Sequence, residues 1–561
     1  MRLLLDTNIL IALENRTLPA QGPELPTSAR PAGSTRWRPR TPAAQGGGIG
    51  PRCGERHLIE SECQISAGQR NSCTPPSGVF VYEDLKLERY LRCSAGELGV
   101  LVAQRRVSPV QLAEMSLSLA KQAEPKLNAY ALLLEDYARE VSVQREAEAK
   151  VGHLRSALHG VPIAIKDNFY LKGFPVRKGS RTTTSDPATQ DSPMIERILA
   201  AGAVVIGKTT MPEFGWKGTG SSPLTGVTRN PWNTGCNPGG SSSGSAATVA
   251  AGAVAIALGS DAGGSIRIPA SFCGVVGLKP TLSRVPVYPG TVTETLSHVG
   301  PICRTVDDAR LVLHATQGID SRDPLSFGAR PQDDEDKAQR LAAGRLRVAV
   351  IHAPFGIAPD PDVARAFEEA LQQLLDQVPA YYTDIAPPLP LPRKIFEDLW
   401  VTGRGLGFEK QFENHADDMD QGLVRLRGLA AQYTLGQFFS AVEARREFVS
   451  QVSSIFNEFD ILLTPTMPIA AFAAEQEVPT GGESSAPLPW VTWTPYTYPF
   501  NLSGQPAVSI PCGLTREQLP VGMQVVGSWG EDNLVLSIAE QFERCLRFQD
   551  IACARDMAHG H

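Results

Sequence analysis

The stretch from Gly239 to Thr281 reads GGSSSGSAATVAAGAVAIALGSDAGGSIRIPASFCGVVGLKPT. It opens on a cluster of hydroxyls, Ser241, Ser242 and Ser243, with Ser245 following after one glycine. A run of small apolar residues comes next, and then a second glycine-rich turn, Gly259-Ser260-Asp261-Ala262-Gly263-Gly264-Ser265. Two serine-bearing turns thus bracket one segment small and apolar enough to be buried. That arrangement can bring two hydroxyls from distant turns to one place.

Around this stretch the pattern alternates strands with helices. Val161 to Ile165 is a short apolar strand running into Lys166-Asp167-Asn168, and Ala203 to Ile206 is a second. Between them Ser192-Pro193 opens a helix that Gly202 stops, since proline at the first helical position forfeits no hydrogen bond. Upstream, Ser94 and Glu97 have capping-box spacing, Ser108-Pro109 predicts another helix start, and a long charged helix is expected over Leu133 to Val151. Downstream, Leu346–Ile351 and Asp460–Leu463 read as strands. The segment Asp362 to Asp376 reads as a helix with its apolar face at Val363, Ala366, Phe367, Ala370, Leu371 and Leu374. Strands alternating with helices predict an α/β fold: one large domain over residues 84–556, with a central mixed β-sheet covered by helices on both faces.

The chain has 561 residues, 42% of them hydrophobic and 20% charged, ordinary values for a globular protein with a substantial core. Its ten cysteines show no CxxC spacing, so neither a zinc site nor a disulfide framework is indicated, and a cytoplasmic protein with reduced thiols is expected. No apolar run has the length and purity of a membrane span. Residues 16 to 58 carry seven arginines, no lysine and two glutamates, a balance of +5. Since the whole chain carries −6, the remainder carries −11, which argues against nucleic acid as the main partner.

The opening residues MRLLLDTNILIAL are interrupted by Asp6 and lack a small-residue cleavage site, which makes a poor signal peptide. They resemble the first strand of PIN-type nucleases, but the resemblance ends with that strand. The chain turns Arg/Pro/Gly-rich from Arg16, with no sustained period. Residues 1–83 are therefore expected to be a disordered leader outside the enzyme fold, and 557–561 a tail.

Three motif matches compete. Gly202-Ala-Val-Val-Ile-Gly207-Lys208-Thr209 fits the P-loop pattern, yet its intervening residues read as a buried strand and Met211-Pro212 stands where the following helix should begin. Gly240-Ser-Ser242-Ser-Gly244 fits the nucleophile elbow, which would make Ser242 the nucleophile of a Ser-His-Asp α/β-hydrolase. The preceding residues, Arg229 to Pro238, are loop material with two prolines, and none of His298, His314, His352 and His415 has a distinctive context. The third reading needs no histidine. A lysine kept neutral by burial can take a proton from serine. Lys166, at the end of an apolar strand, is placed for that burial. The glycines beside Ser265 let consecutive N–H groups converge as an oxyanion hole.

These residues resemble the amidase signature family, from about Ser94 to about Glu540. The most specific part is GSDAGGSIRIP, Gly259 to Pro269. Supporting stretches are HGVPIAIKDNF from His159, GAVVIGKTTMPEF from Gly202, TRNPWN from Thr228, FDILLTPTMP from Phe459 and PFNLSGQPAVSIPCG from Pro499. By position, the resemblance implies Lys166 as base, Ser241 as a bridging serine held by a cis peptide, and Ser265 as nucleophile. It implies an oxyanion hole from the N–H groups of Ala262, Gly263, Gly264 and Ser265. Ser242 is left as a supporting hydrogen-bond partner, and Asp261 and Arg267 shape the turn. One departure from the family's usual GGSSGG is Ser243, in place of a glycine.

The implied chemistry is amide hydrolysis through a seryl acyl-enzyme, without metal or organic cofactor. The expected substrate is a small organic amide, with aryl amides, esters and carbamates included. Two other functions are weighed: the amidase-type subunit of a tRNA-dependent amidotransferase, and an inactive binding protein, which the presence of all three candidate catalytic residues disfavours. The expected partners are the small-molecule substrate and at most a second copy of the chain, with neither nucleic acid nor membrane. Residues 381 to 440 are expected to shape the pocket. The aromatics Phe214, Trp216, Trp490, Trp493, Tyr496 and Tyr498 are candidates for its apolar lining.

Overall fold

Apolar residues that alternate along a strand must face two different cores, and the second half of this chain shows the consequence. Val348 and Val350 pack into one hydrophobic cluster and Ala349 into another. Ile461 and Leu463 oppose Leu462 in the same way, and Val525 opposes Val526. A sheet with a core on each face follows from the period of two. The computed structural model describes residues 82–328 and 335–549.

In chain order the described strands are β1 (Tyr130–Leu133), β2 (Pro162–Lys166), β3 (Val204–Thr209), the two-residue β4 (Ser221–Ser222) and β5 (Gly226–Val227), and β6 (Ile256–Asp261). Then come β7 (Val276–Lys279), β8 (His298–Cys303), β9 (Arg347–Val350), β10 (Tyr381–Asp384), β11 (Ile461–Pro465), β12 (Ala507–Leu514) and β13 (Pro520–Gly527). All but β4 and β5, which pair with each other, form one sheet of order β1-β3-β2-β6-β8-β7-β12-β13-β11-β9-β10. β3, β2 and β6 are parallel, as are β11, β9 and β10; the strands between these blocks run antiparallel. The expected mixed α/β sheet is therefore present.

Helices cover both faces. Pro361–Gln377 buries the predicted stripe of Val363, Ala366, Phe367, Ala370, Leu371 and Leu374 against the first core. Arg393–Leu406 and Leu435–Ile455 send Phe396, Trp400, Phe448 and Val452 into the second. Each such large side chain, fully buried, contributes roughly 1.5–3 kcal/mol. The predicted capping box closes as read: Glu97 N donates to Ser94 Oγ at 3.1 Å and Ser94 N to Glu97 Oε2 at 2.8 Å. The charged helix spans Glu135–Lys150.

Of the expected leader, only Tyr82 and Glu83 fall among the described residues. Glu83 N donates to Arg106 O at 2.8 Å, and its carboxylate pairs with Arg106 at 2.7 Å. The rest of the segment 1–83 and the tail 557–561 lie outside the described residues. No described helix is long and apolar enough to cross a membrane.

One helix decides where the site forms. Ser243–Ala250 is built of Ser, Gly, Ala, Thr and Val, and all but its last residue are buried. Small residues let it lie close to the sheet. A Cβ on Gly244 would sit 2.1 Å from Ala129 O, so only glycine permits that approach.

Candidate active site

β2 and β6 are parallel neighbours, with Ile165 opposite Leu258, so Lys166 and the Ser260-Asp261 pair emerge at the same edge of the sheet. Ligand sites of open α/β sheets form beyond the carboxyl ends of parallel strands. The turn Gly239–Ser242, ahead of the small-residue helix, comes to the same edge. Its Gly240–Ser241 peptide is cis.

Lys166 is fully buried. Its Nζ lies 2.8 Å from Ser241 Oγ, 3.0 Å from Ser242 Oγ and 2.9 Å from Ser260 Oγ. No carboxylate pairs with it among the described residues. Burial pushes its ammonium form well below the ordinary lysine range; the Asp261 charge pulls it back, and that of Arg404 drives it further down. Burial thus favours the neutral form of an amine set among three hydroxyls. Ser242 Oγ also donates to Ser260 O at 3.2 Å and accepts from Ser260 N at 3.3 Å, so it ties the two turns together.

The second turn is held by its own acid. Asp261 accepts from Gly264 N at 2.7 Å, Ile266 N at 3.1 Å, Arg267 Nε at 3.0 Å and Asn501 Nδ2 at 2.8 Å. Burial alone would raise its carboxyl, but the charge and hydrogen bonds of Arg267, with Lys279 and Asn501, outweigh this and hold it below the usual carboxylate range. Arg267 spends its remaining donors on Thr497 O, Gln524 Oε1 and Asn501 Oδ1 at 2.7–2.9 Å. The expected turn-shaping role of Asp261 and Arg267 therefore has a geometry. One expectation is modified. The N–H of Gly264 is committed to Asp261, which leaves those of Ala262, Gly263 and Ser265 without a protein acceptor among the described residues. Gly264 adopts φ +123°, and a Cβ there would meet Thr497 Oγ1 at 2.3 Å.

A cavity opens over these groups. Ser241, Ser260, Asp261, Ala262 and Ser265 line its floor; Ser242 does not reach it. Phe169, Met211, Phe214, Tyr288, Val292 and Phe408 supply apolar wall. Arg404 and Phe408 come from the region 381–440, as expected. The expectation for the other aromatics is corrected. Trp216, Trp490, Trp493, Tyr496 and Tyr498 are buried in the protein and none lines the cavity. Phe396 stacks on Tyr498 at 4.6 Å and Trp400 meets Trp490 at 5.2 Å, an aromatic core under the turn.

Three further cavity residues, Lys178, His298 and Arg404, carry no distinctive sequence signal, and a fourth is Asn168. Asn168 could have been suspected, as it follows Lys166-Asp167; its Nδ2 donates to Ser260 Oγ at 3.2 Å. His298 Nδ1 lies 2.9 Å from Leu296 O and 3.2 Å from Asp261 O, so that nitrogen carries the proton; burial pushes the imidazolium well below its ordinary range. It makes no hydrogen bond to Ser242, and no strand leads into Gly240, so the elbow reading fails on geometry. The P-loop match is strand β3, and Lys208 forms a buried ion pair with Asp167 at 2.9 Å. Ser243 Oγ is buried without a partner.

Comparison with known proteins agrees with this geometry. The family model described as Amidase matches residues 111–536. An acylamidase of Rhodococcus erythropolis is 34% identical, over 80% of this chain and 94% of its own. A glutamyl-tRNA(Gln) amidotransferase subunit from Picosynechococcus is 34% identical, over 79% of this chain and 96% of its own. A bacterial aryl acylamidase of the amidase signature enzymes superposes with a TM-score of 0.74 at 28% identity, covering 82% of this chain and 98% of its own. With a family match over most of its length and these neighbours, the chain belongs to the amidase signature family and is an amidase, a hydrolase of carbon–nitrogen bonds.

Proposed function

We propose that this amidase works alone on a small organic amide, aryl amides and related esters or carbamates among them, through a Ser265 acyl-enzyme, with Ser241 as proton relay and neutral Lys166 as base. The observation that carries the reading is the 2.8 Å contact of buried Lys166 Nζ with Ser241 Oγ. A neutral amine has two N–H groups and one lone pair. Ser242 gives its proton to Ser260 O, so it accepts from Lys166, and Ser260 Oγ already accepts from Asn168. We assign the lone pair to the proton of Ser241, the serine of the first turn that lines the cavity.

In this mechanism Ser241 passes its proton to Lys166 and takes that of Ser265, whose Oγ attacks the amide carbon. The oxyanion falls to the N–H groups of Ala262, Gly263 and Ser265, each important donor supplying roughly 3–4 kcal/mol. Ser241 then protonates the leaving amine and is reprotonated by Lys166. Water entering after the amine is activated through the same relay and releases the acid, restoring Ser265. Cytoplasmic residence belongs to the proposal, supported by the reduced, buried thiols of Cys93, Cys303 and Cys512.

The test is the purified full chain, assayed without any partner on anilides, aliphatic amides, carbamates and glutamine. Turnover of the non-glutamine amides is expected. Ser265→Ala should lower kcat by about a thousandfold or more, and Lys166→Ala should also be crippled; full activity in either variant sinks the corresponding assignment. The similarity to amidotransferase subunits keeps a second reading, an ammonia-releasing component of such a complex. Hydrolysis of glutamine alone among the panel would favour it.

A further inference from the structure

Arg404 is a buried cation with no counter-charge among the described residues. It is 8% exposed, sits on the helix Arg393–Leu406 and lines the cavity that holds Ser241 and Ser265. One guanidinium nitrogen donates to Phe214 O at 2.9 Å, and the other reaches Thr293 Oγ1 at 3.3 Å. Its Nε has no partner, and no carboxylate pairs with it among the described residues. The face of Trp400, 4.9 Å away, is its other electrostatic contact. Burial pulls even this guanidinium down to about 10. Buried charges are ordinarily paired, because desolvation is costly.

A second cation stands beside it. Lys178 lines the same cavity, and its side chain makes no ion pair among the described residues, only a contact of 5.7 Å with the Tyr170 ring. Burial lowers it, and the like charge of Arg404 lowers it further, so the two charges feel one another. The acids nearby are already spent. Asp167 is held by Lys208 and by Lys178 N, Asp261 by Arg267 and Asn501, and Glu213 by Ser180 Oγ and Asp420 N. Of these only Asp261 lines the cavity. The position is also close to the reacting groups. Arg404 fixes the carbonyl of Phe214, which is left-handed at φ +50°, and a Cβ on the next residue, Gly215, would lie 3.2 Å from Ser241 Oγ.

We propose that Arg404, assisted by Lys178, binds a carboxylate on the substrate, so that the amides hydrolysed are those of a second acid group: half-amides of dicarboxylic acids and similar anionic amides with an apolar body. This rests on the amidase reading above and narrows its substrate class. It also separates the two functions. Glutamine brings an ammonium group as well, and the cavity offers no unspent acid among the described residues to receive it.

The experiment compares three 4-nitroanilides of matched size: succinyl (anionic), levulinyl (neutral) and 4-aminobutanoyl (cationic). With the wild-type chain, kcat/KM is expected to favour the succinyl compound over the neutral one by about tenfold or more, the scale of a charge-assisted hydrogen bond. The cationic compound should be the poorest. In Arg404→Gln the succinyl-to-levulinyl ratio should fall towards one, mainly through KM. Arg404→Lys should keep part of it, and Lys178→Met should lose a smaller part. A purely structural role would lower all three substrates together and leave the ratio alone, which overturns the proposal, as does a wild-type ratio of one or less. Binding of glutarate against glutaramide, by calorimetry, reads the same site without turnover. If no anilide is hydrolysed the amidase substrate reading fails, while preferential glutarate binding that Arg404→Gln abolishes still supports the anion site and its absence refutes it.

Discussion

The burial of Lys166 that the proposed mechanism needs lowers stability. Its folded-state pKa lies well below its ordinary value of 10.5, chiefly because it is buried. Between those two values the unfolded chain binds more protons, so stability rises with pH across that window. Lys166→Met removes the titration. The variant is expected to be inactive, and the wild-type gain in unfolding free energy between neutral pH and about pH 9.5 should shrink in it; urea titrations at the two pH values check this. Activity runs in the same direction: the wild type should lose kcat/KM as the pH falls through the lysine's lowered pKa, because the protonated form cannot accept from Ser241.

At the scale of elements, the ends of β2 and β3 are joined by the pair Asp167–Lys208, with side chains 3% and 0% exposed. Lys208 also donates to Pro175 O at 2.5 Å, tying the strand to the loop beyond. Burial raises Asp167 and lowers Lys208, and each partner opposes the other's shift. Lys208→Met strands a buried carboxylate, so a loss of about 3–5 kcal/mol is expected, measured by chemical denaturation. Asp167→Asn combined with it should recover part of the loss. A nucleotide should leave the melting temperature of either protein unchanged, because β3 occupies the backbone groups that a phosphate-binding loop would need free.

At the scale of the whole molecule, Arg267 joins parts of the chain more than two hundred residues apart. It bonds Asp261 at the end of β6, Thr497 just before and Asn501 within the short helix Pro499–Ser503, and Gln524 in β13. The serine turn is thereby fixed to the far half of the sheet. Arg267→Met should cost about 3–5 kcal/mol of unfolding free energy. A further loss of kcat should appear at temperatures where the variant is still folded, since the N–H groups of the turn lose their alignment. A fully active, fully stable variant would show the clamp to be dispensable.

The local pattern was enough for the α/β alternation, the caps at Ser94 and Ser108, the apolar stripe from Val363 to Leu374 and the two serine turns. These depend on period and short-range chemistry, which neighbouring residues carry. It also exposed the middle of the P-loop match, Ala203 to Ile206, as a strand, because four consecutive apolar residues favour burial over an open loop. Which of three adjacent serines faces the cavity was decided by the folded turn, since Ser241, Ser242 and Ser243 differ only in direction. The Asp261 claim on the Gly264 N–H was decided there too. Arg404 looks like any other cation of an amphipathic helix until Phe214, Trp400 and the cavity wall enclose it. Its burial, and the absence of a carboxylate beside it among the described residues, arise from residues far apart in the chain, and only tertiary packing brings them together.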